Sequence, residues 1–155
     1  MEENEQVLID ETDKKIINCL LDNSRLSYRD IAKQIDVSVV TVMNRTKRLE
    51  SAGVIRGYSA NIDYEKIGYD VSVMIEMNIS KGKLFEVEKK IAVNNSVSAV
   101  YDITGQSDAV IIARFKSRKK MDDFLKKIQT FDFVEKTQTK LILNIIKEKN
   151  MILLE

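Results

Sequence analysis

The stretch LSYRDIAKQIDVSVVTVMNRTKRLESAG, residues 26–53, has the pattern of two short helices joined by a tight turn. Ser38 follows that turn and is a good N-cap for the second helix. One side of this helix is formed by residues at helical spacing, namely Val39, Val42, Thr46 and Leu49. Polar and basic residues occupy the rest of its surface, namely Thr41, Asn44, Arg45, Lys47 and Arg48. Such a unit places its second helix in the major groove of DNA, so the stretch predicts a DNA-binding module.

The polar residues of the second helix divide into two predicted roles. We expect Thr41, Asn44 and Arg45 to contact base edges. Phosphate contacts are expected from Ser38, Lys47 and Arg48. A solvated helix face is the alternative for any single basic residue, but here the basic face follows a turn of the right length.

Charge is unevenly distributed along the 155 residues. The net charge is only +1, yet residues 1–13 carry six acidic residues and no basic one. Residues 23–58 carry seven basic residues against three acidic ones. This modest basic island coincides with the helix-turn-helix pattern, which favours a nucleic-acid partner for that region.

Composition also indicates a compartment. The chain is 44% hydrophobic and 32% charged, as expected of a soluble globular protein. Cys19 is the single cysteine and lies among aliphatic residues, so we expect it to be packed in a core within a reducing cytoplasm. The acidic N-terminus predicts no signal peptide, and no apolar stretch is long enough to predict a membrane span.

Enzymatic chemistry finds little support in the sequence. There is no histidine, the commonest general base and metal ligand, and the five glycines form no phosphate-binding loop. Tyr101 and Asp102 are polar neighbours on a predicted strand, but two such residues are not a catalytic set. We therefore predict no enzyme, no catalytic residue, no metal and no cofactor.

The second half of the chain changes from helical to alternating periodicity. Val71, Val73, Ile75, Met77 and Ile79 alternate with more polar residues, which is a strand pattern. The segments that follow are predicted as a helix over 83–93, strands over 97–104 and 108–116, a helix over 119–130 and a strand over 135–146. Residues 151–154 add a further short strand in this prediction. The order is βαββαβ, the plan of a ferredoxin-like sandwich.

This sheet is expected to find a partner. Helices cover one face of a ferredoxin-like sheet, but the predicted strands are apolar on both faces. Ala109, Ile111 and Ala113 form one apolar row, while Val110 and Ile112 form the other. An uncovered apolar face is expected to pair with a second copy, so we predict a homodimer through the second domain.

Residues 54–63 follow the second helix of the motif and contain strand-forming residues interrupted by Gly57. We interpret them as a short β wing or an exit strand, which makes the first half a winged helix-turn-helix. The predicted class is α+β, with a DNA-binding domain over 1–63, a connector over 64–70 and a ferredoxin-like domain for effector binding and oligomerisation over 71–155.

The whole chain resembles the Lrp/AsnC (feast/famine) family of bacterial and archaeal transcription regulators. The matching segments are IDETDKKII at 9–17, SYRDIA at 27–32, residues 37–45, 47–50 and 53–55, and ITGQSD at 103–108. The last of these is similar to the Gly-x-x-Asp turn of the family's ligand-sensing domain. The resemblance implies a DNA-binding regulator whose assembly or DNA binding responds to an amino acid or related small metabolite. It also makes tetramers or octamers reasonable.

The effector pocket is likewise implied by the resemblance. Its candidate residues are Tyr101, Asp102, Thr104, Gly105, Gln106, Ser107 and Asp108. Free amide groups in this turn can hold a carboxylate. The alternative for Gly105 and Asp108 is a purely structural one, in which they form a tight hairpin turn.

The recognition helix departs from the family pattern at Thr46, where an aliphatic residue is usual. We expect its hydroxyl to bond back to the helix. Val40 and Met43 give this helix fewer polar groups for base recognition than many members have, so no operator preference carries over. A non-sensing architectural DNA-binding protein is the alternative function, with strong salt dependence and little sequence preference.

Overall fold

The computed structural model describes residues 6–80, 82–148 and 153–154, which form two compact units. Residues 6–61, Glu148, Leu153 and Leu154 belong to the first unit, and the described residues within 62–147 form the second. The sequence prediction instead assigned 64–70 to a connector and all later residues to the second domain. The C-terminal residues join the first unit because the Asn18 side-chain amide donates to the Leu154 carbonyl at 2.9 Å and accepts from its N–H at 2.8 Å.

The described residues of the first unit form three helices, and each begins at a side-chain cap. They are α1 (Glu11–Asp22), α2 (Tyr28–Ile35) and α3 (Val39–Ser51). Asp10, Ser27 and Ser38 accept hydrogen bonds from the backbone N–H three residues later, which satisfies donors that helix formation leaves unpaired. Apolar residues spaced for helices meet in a common core, namely Ile16, Ile31, Ala32 and Val42. The helix-turn-helix prediction is confirmed.

The segment after α3 differs from the prediction. Gly53 adopts the left-handed conformation (φ 69°) expected where a helix ends. Residues 54–63 then contain no strand, so the predicted β wing or exit strand does not form in this structure. A strand needs a hydrogen-bonded partner, and the described part of the first unit contains no strand with which residues 54–63 could pair.

The second unit is a four-stranded antiparallel sheet with two helices. A short 3₁₀ helix (Glu65–Ile67) precedes β1 (Val71–Ile79), α4 (Leu84–Ala92), β2 (Val97–Asp102), β3 (Ala109–Phe115), α5 (Arg118–Gln129) and β4 (Val134–Leu141). The sheet order is β2-β3-β1-β4, and every neighbouring pair is antiparallel. This is the predicted βαββαβ plan.

Alternation along the strands separates the two faces of the sheet. Residues 109, 111, 113 and 115 of β3 are buried, together with Val73, Ile75 and Met77 of β1. Val87 and Ile91 of α4 and Phe124 and Ile128 of α5 pack in the same core. Met74, Val110 and Ile112 lie on the opposite face and are only half-buried.

The last strand is shorter than predicted. It ends at Leu141, where the prediction extended it to residue 146. Leu141 pairs with Val73, and the Ile142 N–H still donates to the Ser72 carbonyl at 2.9 Å. Only Ser72 and Val71 of β1 lie beyond this pair, so residues 144–146 have no residue of β1 left to pair with. Of the further strand predicted over 151–154, residues 151 and 152 lie outside the described residues, and Leu153 and Leu154 are not in a strand.

Candidate DNA-binding surface and effector turn

The outward face of α3 is centred on Val40, Asn44 and Lys47. A helix turns about 100° per residue, so these three residues lie opposite the buried side formed by Val42, Thr46 and Leu49. The burial agrees, because Val42 and Leu49 are fully buried whereas Val40, Asn44 and Lys47 are exposed. Asn44 and Lys47 were predicted DNA contacts, and both point into solvent.

Ser38 and Thr41 form the capped first turn of α3. The Ser38 Oγ accepts the Thr41 N–H at 2.9 Å, and the two hydroxyls share a hydrogen bond of 2.7 Å. Both residues lie at the end of the helix that a helix-turn-helix presents to base edges. Their hydroxyls therefore hold each other in place beside the outward face.

The two arginines of α3 are engaged by carboxylates of α1. Arg45 Nη1 donates to Asp10 Oδ2 at 2.6 Å and lies 3.4 Å from Asp13 Oδ2. Arg48 also donates to Asp13, whose side chain is fully buried. The pKa of Arg45 is raised, chiefly by its hydrogen bond to Asp10 and by the nearby carboxylate charges. Both arginine side chains nevertheless remain partly exposed, at 35% for Arg45 and 47% for Arg48.

Asp10 and Asp13 also form reciprocal capping hydrogen bonds at the start of α1. The Asp13 N–H donates to Asp10 Oδ1 at 2.9 Å, and the Asp10 N–H donates to Asp13 Oδ2 at 3.0 Å. The first of these bonds is the main cause of the lowered pKa of Asp10, with Arg45 contributing further. The sequence signal for these ion pairs was the acidic start of α1 together with the basic residues of α3.

Thr46 departs from its prediction. Its side chain is fully buried, but within the described residues its hydroxyl has no hydrogen-bond partner. The expected bond back to the helix is therefore wrong in this structure. The residue packs like the aliphatic side chain it replaces and keeps one unsatisfied polar atom.

The turn between β2 and β3 is held by three hydrogen bonds around Asp108. Its carboxylate accepts the Ile79 N–H at 2.8 Å, its own N–H donates to the Met77 carbonyl at 2.9 Å, and its carbonyl accepts the Ile103 N–H at 3.0 Å. Asn78 Nδ2 donates to the Gln106 carbonyl at 2.7 Å. Gly105 has φ 127°, a conformation that side chains disfavour. The structural role predicted for Gly105 and Asp108 is present.

The same turn presents unpaired donors. Among the described residues, no partner accepts the backbone N–H groups of Thr104, Gly105, Gln106 and Ser107. Thr104, Gly105 and Gln106 are exposed, while Ser107 and Asp108 are half-buried. Consecutive free N–H groups can bind an anion if they converge.

Tyr101 and Asp102 are not brought together with each other. Tyr101 pairs with Val110 on the outer sheet face, whereas Asp102 pairs with Ala109, whose side chain lies on the helix-covered face. Alternation along a strand already implied this separation. Asp102 instead lies near Glu88 of α4, a residue that the sequence reasoning missed. Burial raises the pKa of Glu88, the Asp102 charge raises it further, and Glu88 Oε1 has no partner among the described residues.

The described residues include neither a metal-binding cluster nor a membrane-spanning helix. They contain no cluster of three or more His, Cys, Asp or Glu side chains that could hold a metal ion. No helix in this part of the chain is both long enough and apolar enough to cross a membrane.

Comparison with known proteins identifies the family. Residues 9–56 match a family described as winged helix-turn-helix DNA-binding, and residues 72–152 match the Lrp/AsnC ligand binding domain. The chain belongs to the Lrp/AsnC family. It is a DNA-binding transcriptional regulator of that family, and the family comprises regulators, not enzymes.

Relatives of this Lrp/AsnC regulator match it along nearly their whole length. An uncharacterised HTH-type transcriptional regulator of Pyrococcus abyssi is 45% identical over 141 residues, covering 91% of this chain and 96% of the relative. The regulator FL11 of Pyrococcus horikoshii is 34% identical over 143 residues, covering 92% of this chain and 95% of FL11. The solved structure of Escherichia coli AsnC superposes with a TM-score of 0.85 at 27% identity, covering 94% of this chain and 99% of AsnC. The predicted fold class and family are thereby confirmed.

Proposed function

We propose that this Lrp/AsnC regulator is a sequence-specific DNA-binding homodimer of the cytoplasm whose assembly or DNA binding responds to an amino acid or related small metabolite. The observation that carries the DNA-binding part is the solvent-facing row on α3, on the side opposite its buried residues. This row has the position that a recognition helix presents to the major groove.

Base recognition is assigned to Thr41, Asn44 and Arg45. The exposed amide of Asn44 offers a donor and an acceptor together, the pattern that matches an adenine edge. Thr41 lies one turn earlier, and its hydroxyl is oriented by Ser38. Arg45 shares its guanidinium with Asp10, so only its remaining donors are available to a base.

Phosphate binding is assigned to Ser38, Lys47 and Arg48. Lys47 is exposed and forms no ion pair among the described residues. Arg48 is fixed by Asp13 but keeps about half of its side chain accessible. Contacts of this kind position a protein on the duplex and contribute salt-dependent affinity.

Dimerisation is assigned to the outer sheet face. One helix-turn-helix contacts one half-site, so two copies are needed for a palindromic operator. The half-buried Met74, Val110 and Ile112 form adjacent positions there, and Met74 pairs directly with Ile112. A second copy of the same face matches these apolar residues, beside which Glu76 and Lys140 form an ion pair, while tetramers or octamers require further contacts.

Effector binding is assigned to the turn after β2 and its flanking residues. The match to the Lrp/AsnC ligand binding domain supports a small-molecule site in this unit. A structural relative from Mycobacterium tuberculosis at 26% identity, with a TM-score of 0.79 and 94% of this chain covered, is named a leucine response regulatory protein. The free N–H groups of residues 104–107 suit the carboxylate of an amino acid, and carboxylates such as Asp102 suit its ammonium group.

The deciding experiment selects binding sites from random duplex DNA, with and without pooled amino acids. We expect a palindromic site whose enrichment changes when the effector is present. Recovery of random sequences at equal affinity, with strong salt dependence, would instead support the architectural alternative. If no amino acid changes the selected sites, the proposed response to an amino acid is contradicted, and the proposed sequence-specific DNA binding is not.

Two solution measurements test the proposed dimerisation and the proposed effector binding. Light scattering at micromolar concentration should give at least a dimer, and Ile112→Asp should dissociate it because an unpaired charge would be buried in the apolar face. A monomeric wild-type protein would contradict the proposed homodimer.

Thermal-shift measurements across the amino acids should show a higher Tm with the effector, since a ligand that binds the folded state stabilises it.

A further inference from the structure

We propose that Val40 is a base-contacting residue that selects thymine through its C5-methyl group. This inference rests on the proposed sequence-specific DNA binding and names the base chemistry that α3 recognises. Val40 is 59% exposed, although Val42, two residues later, is fully buried. Among the described residues of the first unit, no packing contact accounts for an aliphatic side chain at position 40.

The position of Val40 is that of a base contact. It lies in the first turn of α3, near the end that enters the groove, and on the side opposite Thr46 and Leu49. Asn44 lies one turn further along the same face. The two side chains therefore present an apolar group followed by an amide to neighbouring base pairs.

An aliphatic side chain can discriminate only one major-groove edge favourably. Val40 has no donor or acceptor, and thymine is the base that offers a methyl group on that edge. Cytosine has only a hydrogen at C5 beside its N4 donor, and adenine and guanine present polar groups along that edge. Covering those groups with a valine leaves them without a partner, which is unfavourable.

Val39 provides an internal comparison. It is the preceding residue and is 43% exposed, but about 100° of helix rotation places it on a flank of α3 and not on the outward face. Loss of its side chain is therefore expected to leave thymine selection intact. Both residues are substantially exposed, so alanine at either position is compatible with folding.

The test removes single methyl groups from the DNA. The full-length protein is used at constant salt, because affinity for DNA varies with salt concentration. Each thymine of the selected site is replaced in turn by deoxyuridine, which lacks only the C5-methyl. We expect one position in each half-site at which the replacement weakens wild-type binding about fourfold, the effect of burying one methyl group.

The variants assign that effect to a residue. Val40→Ala should bind the thymine and uracil sites equally, whereas Val39→Ala should keep the wild-type difference. A selected site at which no uracil replacement matters overturns this inference and leaves the proposed function standing. Retention of the difference by Val40→Ala also overturns it. Failure to select any site overturns the sequence-specific function and this inference together.

Discussion

Arg45 of the recognition helix donates to Asp10, the N-cap of the first helix, across a distance of 2.6 Å. With Asp13 and Arg48 this forms a four-residue ion cluster that ties α3 to the start of α1. The same arginines are candidates for DNA contact. Arg45 and Arg48 therefore have two roles: they hold the recognition helix against the start of α1, and they lie on the proposed DNA-binding surface.

Arg45→Ala tests whether this arginine contacts a base. We expect the variant to lose more affinity for the selected operator than for random DNA, because base contacts carry sequence information and phosphate contacts do not. The measurement is competition binding with both DNAs, after a melting curve has shown that the variant is folded. Equal loss on both DNAs would assign Arg45 to the phosphate backbone.

Asp10→Ser tests the competition between Asp10 and DNA for Arg45. Serine keeps the N-cap of α1 but removes the carboxylate that holds the guanidinium. We expect affinity for DNA to rise by about twofold to fivefold, the range of one exposed ion pair. The control is the same substitution in an Arg45→Ala background. An equal rise there would contradict the competition.

Asp13→Asn tests the buried centre of the cluster. The Asp13 side chain is fully buried and pairs with both arginines, whereas the arginines are partly solvated. Loss of the charge should lower the free energy of unfolding by about 1–3 kcal/mol, less than for a fully buried pair. Urea denaturation measures it. Glu11→Gln, which breaks the exposed pair with Lys14, should change stability little.

Thr46→Val tests the unsatisfied hydroxyl. Valine has nearly the same shape and removes a buried polar atom without a partner, so we expect stabilisation of about 1 kcal/mol. Thr46→Ser is the matched control, because it keeps the hydroxyl and removes a buried methyl group. It should destabilise by a similar amount. A stability loss in Thr46→Val would mean that the hydroxyl has a partner in solution.

Glu88→Gln tests the raised pKa on α4. A raised pKa means that the folded state favours the protonated acid, so the ionised form destabilises it at pH 7. We expect Glu88→Gln to have the higher Tm at pH 7 and to match the wild type at about pH 4, below the ordinary pKa of a glutamate. Thermal melts across this range measure the difference.

Glu86→Gln on the same helix is the control for that measurement. Lys83 and Lys90 lower the pKa of Glu86, so its ionised form stabilises the folded state. This variant should therefore have an unchanged or lower Tm at pH 7. A higher Tm in both variants would mean that the gain comes from glutamine itself and not from removing an unfavourable charge.

Much of the fold followed from local patterns. Ser38 marked the start of α3, and the period-two alternation from Val71 to Ile79 marked β1 along its full length. These signals are local because a cap and a hydrophobic period involve residues within a few positions of each other. The outward face of α3 was also determined by spacing, including the exposed position of Val40.

Other features depended on residues that meet only after folding. The predicted extension of β4 to residue 146 does not form because β1, about 70 residues earlier, begins only two residues beyond the partner of Leu141, and a ladder cannot extend past its partner strand. The wing was predicted from strand-forming residues, but no partner strand lies in the described part of the first unit. A propensity for extended structure does not supply that partner.

The sequence by itself determined the helix-turn-helix, the βαββαβ order and the row of residues that α3 exposes. The tertiary structure alone decided that Asp10 and Asp13 hold Arg45 and Arg48 and that the hydroxyl of Thr46 is unsatisfied. The physical reason is the range of the interactions. Periodicity and capping act between near neighbours, whereas ion pairs and buried polar atoms depend on groups that packing brings together from distant parts of the chain.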